Sequence, residues 1–465
     1  MRVMKVAVVK NRERLLKEGG EDWEGRSLLL DLVELAIRVS DPRSVIKRTV
    51  MLDERHIIVA GEHIPIRNIE NIYVVGAGKA SGAMAEALEE VLGEFVTDGA
   101  VCVQKGTSSM FSVKRIRLFE ADHPIPGEEN IRGAEEVARL AEAAEENDLL
   151  ICLISGGGSA MLTLPVEGLE LQDIQEITAA LLKSGVDISK VNTVRRHLSR
   201  LKGGLLAKLA YPARVVSLIV SDIVGDRLED VASGPTAPDP TTFSDAINIL
   251  KRYRLWERCG SRVKARLTAG VEGKVEETPK PNDPVFRRVQ NFLVATNREA
   301  CTAVANEAAR RGLNSFILTT HMEGEAREVG YLVAGVARSI ALNQEPLKRP
   351  ALIVMGGETT VTMSEDAGRG GRNQELALSA ALKIAGLKGV FVVSFGTDGV
   401  DGVSYAAGAL VDGNTVKKGD VHGVRAEDYL QRHDTTSFFE KIGDGLIVTG
   451  PTGTNVNDVL ILAAL

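Results

Sequence analysis

Basic residues are not in excess in this chain: 56 lysines and arginines face 63 aspartates and glutamates, for a formal net charge of -7. Without a domain-wide positive field the chain is not built as a general nucleic-acid binder. Local loops can still hold small anions. Cysteine is scarce as well. Cys102, Cys152, Cys259 and Cys301 stand apart and form no CxxC pair, which argues against a zinc or dithiol centre and fits a reducing compartment. Long apolar runs are also lacking. No stretch approaches the ~20 residues of a membrane helix, and Leu28-Leu29-Leu30 runs into Asp31 and Glu34 rather than continuing as a signal peptide would. The expected location is the cytoplasm, with no membrane and no nucleic acid among the partners. Tandem repeats and low-complexity tracts are absent too.

A length of 465 residues exceeds one ordinary core and points to two domains. Short apolar, β-branched runs recur at 72–75, 149–154 and 215–220, and again at 292–295, 316–318, 352–355, 390–393 and 446–448. Most end in glycine, serine or threonine. Continuous apolar runs of this length suit strands buried on both faces. Between them lie alanine- and leucine-rich helical patterns at 80–92, 131–146, 299–311 and 373–384. The alternation predicts an α/β protein of two domains, each a mainly parallel sheet flanked by helices, with a cleft between them. Hydrophobic periodicity lapses in the polar, proline-containing stretch 270–283, which sets the expected domains at 1–283 and 284–465.

Several strand ends carry glycine loops. In Val74-Val75-Gly76-Ala77-Gly78-Lys79-Ala80-Ser81-Gly82 a strand turns into a helix through GxGxxxG. Free amides and the helix dipole there favour an anion. A dinucleotide fingerprint would place its third glycine at Ser81, and Lys79 suits a phosphate or carboxylate better. A plain βα turn is the alternative. Ser155-Gly156-Gly157-Gly158-Ser159 follows a second buried run, and consecutive glycines can close amides round a phosphate. It is neither a Walker A loop nor a nucleophile elbow.

Asn192-Thr193-Val194-Arg195-Arg196-His197 reads as a helix start whose cations oppose the dipole, which suggests an anionic ligand for Arg195 or Arg196. Asp222 and Asp226 follow one strand, and Asp398 and Asp401 another. Such carboxylates can hold Mg²⁺ or accept a proton, or simply make turns. Gly356-Gly357-Glu358 and Gly370-Gly371-Arg372-Asn373 add an acid and a guanidinium suited to phosphoryl oxygens. A last glycine loop, 449–458, ends in Asn457-Asp458.

Taken in order, GAGKASG, LISGGGSAML, NTVRRHLSRLKGG, SDIVGDRLEDVASGPTAPDP, GGETTV, GGRNQELAL, FGTDGVDG and TGPTGTNVND resemble the class II glycerate kinases, the family with a MOFRL C-terminal domain. The likeness runs over roughly 28–460. It implies phosphoryl transfer from ATP to D-glycerate in the interdomain cleft, with 2-phosphoglycerate as the product in archaeal-type members. By that resemblance Lys79 and Arg372 are the catalytic residues. The expected phosphate and substrate contacts are Gly76, Gly78, Ser155, Gly156, Gly157, Gly158, Ser159, Asn192, Arg196, Glu358 and Asn373. Mg²⁺ is expected on Asp222, Asp226 and Asp398. The small-molecule partners would be ATP and D-glycerate, and a homodimer is compatible with the chain. A hydroxypyruvate reductase using NAD(P)H at Gly76, with Asp98 about 20 residues on as the ribose acid, is the rival reading. A non-catalytic sensor on the same fold is a second one.

Overall fold

The computed structural model describes residues 8–363 and 366–465, which divide into two compact units. One is Pro42–Val294. The other joins the described residues up to Asp41 to Ala295–Leu465.

The Pro42–Val294 unit opens with a small antiparallel sheet of β1 (Val50–Leu52), β2 (His56–Val59) and β3 (Glu62–Pro65). Its main sheet is built from β4 (Ile72–Ala77), β5 (Asp98–Gln104), β6 (Ile116–Ala121), β7 (Leu149–Ile154), β8 (Arg214–Val220) and β9 (Val289–Ala295), in the order β6-β5-β4-β7-β8-β9. All pairings from β6 through β8 are parallel. Every residue of β7 is buried, as its unbroken apolar sequence requires of a central strand covered on both faces. The helix Glu128–Glu142 packs on β5 and β6, and the helix Ser81–Leu92 on β5.

In the other unit the sheet comprises β10 (Asn314–Met322), β11 (Ala351–Gly357), β12 (Val390–Gly396), β13 (Gly408–Asp412), β14 (Leu446–Ile447) and β15 (Asp458–Ala464), in the order β10-β11-β15-β12-β13-β14. Only β10 and β11 pair parallel. β15 enters antiparallel between β11 and β12, so its first residue, Asp458, lies level with Gly357 and Gly396 at the ends of those strands. The α/β, two-sheet expectation is met, but this sheet is mixed rather than mainly parallel. The last apolar run of the chain returns to the middle of the sheet instead of extending its edge.

The expected boundary at 283/284 is corrected at both ends. The polar stretch 270–283 is no linker. Glu277 accepts from the Phe243 amide at 2.7 Å, Thr278 donates to Asp239 at 3.0 Å, and the chain then forms β9 of the first sheet. Its polarity serves side-chain-to-backbone bonds inside the unit. The first segment belongs with the C-terminal sheet. The helix Trp23–Val39 buries Leu29, Leu30, Val33 and Ile37 and packs on the helix Asn297–Arg310 and on β12. Its Arg26 is fully buried, 2.6 Å from Asp412 and 2.7 Å from Asp444.

Candidate functional site

In the parallel sheet the strand order reverses between β4 and β7. Open α/β sheets bind ligands outside the carboxyl ends of their strands at such a switch point. β4 ends there in the Gly76 turn, β7 in the Ser155 loop, and β8 in Ser221-Asp222. A Cβ on Gly76 would collide with the Leu153 carbonyl. Gly78, at φ +140°, would strike Ser155, so the two turns can approach only as glycines. The Lys79 amide donates to the Gly156 carbonyl at 2.9 Å, and the Ala80 amide to Ser155 Oγ at 3.0 Å. Gly157 has φ +81°.

Charged groups gather over this loop. A Cβ on Gly157 would lie 3.3 Å from both Lys79 Cγ and His123 Cδ2, and one on Gly156 would overlap the Asp222 carboxylate. Burial pushes Asp222 up to about 6, while its own backbone amide and Lys79 pull the other way. Burial of the ring, with the charges of Lys79 and Arg195, holds the His123 imidazole down at about 4, although the residue as a whole is exposed. Arg195 is buried and donates from Nη2 to the Ser159 carbonyl at 2.8 Å. Burial lowers it to about 10. Lys202, also buried, donates to the Leu162 carbonyl at 2.5 Å and is held well below its ordinary value by burial and by Arg195.

Several expected contacts turn out to be supports. Ser155 is buried and ties the two turns together. Asn192 accepts from Ser233 Oγ at 2.8 Å, and Ser233 meets Ser159 Oγ at 2.5 Å, so Asn192 braces the loop from behind. Arg196 is corrected as a substrate contact. It is 2% exposed and its guanidinium grips Asp230 at 2.9 Å and Asp239 at 3.2 Å.

In the mixed-sheet unit, Arg372 opens the helix Arg372–Ile384. Its Nε lies 2.6 Å from Asp458 Oδ2, its Nη2 3.0 Å from Oδ1, and its Nη1 2.7 Å from Glu358. Burial alone would lower the guanidinium, but Asp458, Glu358 and Asp401 raise it and keep it charged. Asp401 caps the same helix, accepting from the amides of Asn373 and Gln374 at 3.0 and 2.9 Å, and burial pushes its carboxyl up to about 6. A Cβ on Gly396 would lie 3.0 Å from Asp398 Oδ1 and 3.4 Å from Asp458 Oδ1, so both carboxylates flank the end of β12. Asn373 is corrected to an internal role. It is 2% exposed, donates to Asp401 at 3.3 Å and accepts from Ser394 at 2.6 Å.

Asp222 and Asp226 belong to one unit and Asp398 to the other. The group of three close ligands found among the described residues is Asp53, His56 and His63 of the small sheet, where Asp53 Oδ1 already accepts from the Arg55 and His56 amides. Magnesium needs only one or two carboxylates when phosphates and water complete its shell. Asp222, a largely buried oxygen donor beside Lys79, fits that requirement.

The expected set omitted His123, Lys202, Asp401 and Asp458 and preferred Arg196 to Arg195. Asp458 carried a signal, standing at the end of a glycine loop just before an apolar run. His123 had only its place two residues past β6. Lys202 had none, because a lysine in a Lys-Gly-Gly run reads as solvent-exposed.

These features define a two-unit α/β protein with cationic glycine loops at one sheet's switch point and an arginine–carboxylate cluster at the end of the other. The domain of unknown function DUF4147 matches residues 28–268, and the MOFRL family matches residues 351–458. The glycerate 2-kinase of Pyrococcus horikoshii is 45% identical over 436 residues, covering 94% of this chain and 96% of that one. The D-glycerate 2-kinase of Thermotoga maritima is 39% identical, covering 94% and 97%. An Agrobacterium vitis protein provisionally named a hydroxypyruvate reductase is 39% identical over 439 residues, covering 94% of each. Among solved structures, the Thermotoga maritima glycerate kinase superposes with a TM-score of 0.84 at 38% identity, covering 94% of this chain and 99% of that chain. A Pyrococcus horikoshii protein gives 0.84 at 44%, covering 94% and 98%. The chain belongs to the glycerate kinase family that couples a DUF4147 domain to a MOFRL domain.

Proposed function

We propose that this protein transfers the γ-phosphoryl group of ATP to the 2-hydroxyl of D-glycerate, giving 2-phosphoglycerate and ADP. The observation that carries the reading is the convergence of Lys79, the Gly156-Gly157-Gly158 loop and Asp222 at a topological switch point. Membership of the family and the kinase names of its close members supply the substrate.

Phosphoryl transfer asks little covalent chemistry of the protein, so positioning and charge must supply the rate. The hydroxyl oxygen of glycerate forms the new bond to the γ-phosphorus as the bond to the β–γ bridging oxygen breaks, and ADP leaves. Lys79 opposes the charge building on the transferring group. Arg372 is the second cation. Asp458 fixes two of its nitrogens, leaving the Nη1 edge, now on exposed Glu358, to turn to a phosphoryl oxygen. The Gly78, Ser155 and Gly158 amides already donate to the Cys102, Ala77 and Ser155 carbonyls at 3.2, 3.1 and 3.2 Å, so the amides of Gly156 and Gly157 are the ones that would meet phosphate or substrate oxygens. Asp222 would hold Mg²⁺, with phosphate oxygens and water completing its shell, and the ion would neutralise phosphate charge when bound. The cytoplasm is the proposed site of action.

ADP release measured with and without D-glycerate tests this reading, which requires glycerate-dependent turnover. The name of the Agrobacterium vitis relative makes reductase activity the second reading. GxGxxxG spacing and Lys79 at the turn speak against it. NADH oxidation by hydroxypyruvate in place of ATP turnover would reverse the choice.

A further inference from the structure

Arg195 and Arg196 are adjacent, both buried, and treated oppositely. Arg196 has two aspartates. Arg195 is 9% exposed and has no carboxylate partner among the described residues; its buried Nε, like that of Arg196, makes no hydrogen bond. Its hydrogen bond within the described residues runs from Nη2 to the Ser159 carbonyl. The surroundings add to the imbalance, because Lys202, itself buried, and His123 both feel its charge. A buried guanidinium beside a buried lysine, with no carboxylate paired to either among the described residues, is costly unless a ligand supplies the charge.

We propose that Arg195 is the anchor of an anion subsite that takes the carboxylate of the acceptor acid, with His123 as a hydrogen-bonding neighbour for the hydroxyls. The proposal rests on the glycerate reading and extends it to the acceptor's orientation. A guanidinium fork matches the oxygens of a carboxylate and of a phosphate alike. Two observations favour a carboxylate over the nucleotide phosphates. A deep, closed position suits one small single charge, whereas a triphosphate carries several charges and needs the open side where Lys79 is exposed. His123 stays uncharged at neutral pH, so it adds hydrogen bonding without further positive charge. The Ser159–Ser233–Asn192 chain fixes the loop on which Arg195 leans, and Ala232 and Ser233, both in the left-handed region at φ +51° and +62°, show that the backbone is held there against its preference.

The test compares wild type with Arg195→Gln and Arg195→Lys, using D-glycerate and ATP kinetics, glycerol as an acceptor lacking the carboxylate, and calorimetric titration with D-glycerate. Expected for Arg195→Gln is a fall of about 100-fold in kcat/KM for glycerate, carried by KM. KM for ATP and any turnover of glycerol should not change, so preference for the acid over glycerol collapses. Arg195→Lys, which keeps the charge without the fork, should recover part of the loss and guards against a variant that fails to fold. A glycerate KM within about twofold of wild type, or a loss falling on ATP instead, overturns the subsite. Wild-type protein with no glycerate-dependent turnover sinks the kinase reading rather than the subsite. Calorimetry then decides the subsite alone, since glycerate binding lost in Arg195→Gln upholds it and binding unchanged or absent in wild type refutes it.

Discussion

Asp458 meets Arg372 across both edges of a fork, Oδ2 at 2.6 Å from Nε and Oδ1 at 3.0 Å from Nη2. The carboxylate is buried, and it begins a strand inserted between two others, so the guanidinium is aimed by the sheet itself. Arg372→Ala should lower kcat by about 100- to 1,000-fold with a smaller change in KM, as for other electrostatic donors acting in the transition state. Asp458→Asn keeps the shape and weakens the aim, and should cost about 10-fold in kcat. Steady-state kinetics of both variants check this. A rise in KM at constant kcat would make Arg372 a ground-state contact only.

Lys79 stands over Gly157 at the switch point of the parallel sheet. Lys79→Ala is expected to lose about 100- to 1,000-fold in kcat while the protein stays folded, since the side chain is exposed. Turnover equal to wild type would remove Lys79 from the mechanism.

Asp222 gives a prediction with a sign. Its carboxyl is raised from 3.8 to about 6, chiefly by burial. A group shifted upward on folding contributes stability that is fully present below the unfolded value and lost as pH rises through the folded one. Asp222→Asn should therefore be more stable than wild type above pH 6, by up to about 3 kcal/mol in the absence of ligands. The two should converge below pH 4. Thermal melts across that range check it, and kinase activity should fall in the same variant. A variant less stable at pH 8 would contradict the assignment.

Arg26 bridges Asp412 and Asp444 in full burial. Arg26→Met leaves two buried carboxylates facing each other, and should destabilise the protein by about 3 to 5 kcal/mol. Denaturant unfolding measures it. A loss under 1 kcal/mol would mean that the N-terminal helix contributes little to this unit.

Much of this was legible in the chain. Buried strands announced themselves as unbroken apolar runs, and Gly76, Gly78 and Gly156 marked close approaches between turns. Arg372 and Lys79 stood out as cations beside glycine turns. Long-range pairing was not legible. Nothing local in Asp458 says that it inserts between β11 and β12, and nothing in Arg26 names partners more than 380 residues away. The choice between Arg195 and Arg196 depended on which one the fold gives aspartates. Polarity at 270–283 looked like a linker because side chains that cap backbone and side chains that face water share a composition.

Phosphorus NMR of the mixture formed from ATP, Mg²⁺ and D-glycerate bears most directly on the central claim. The account predicts that ADP accumulates together with a monoester at the 2-position, and only when glycerate is present. A 3-phosphoglycerate signal would overturn the regiochemistry. Absence of any glycerate-dependent ester would contradict the kinase assignment itself.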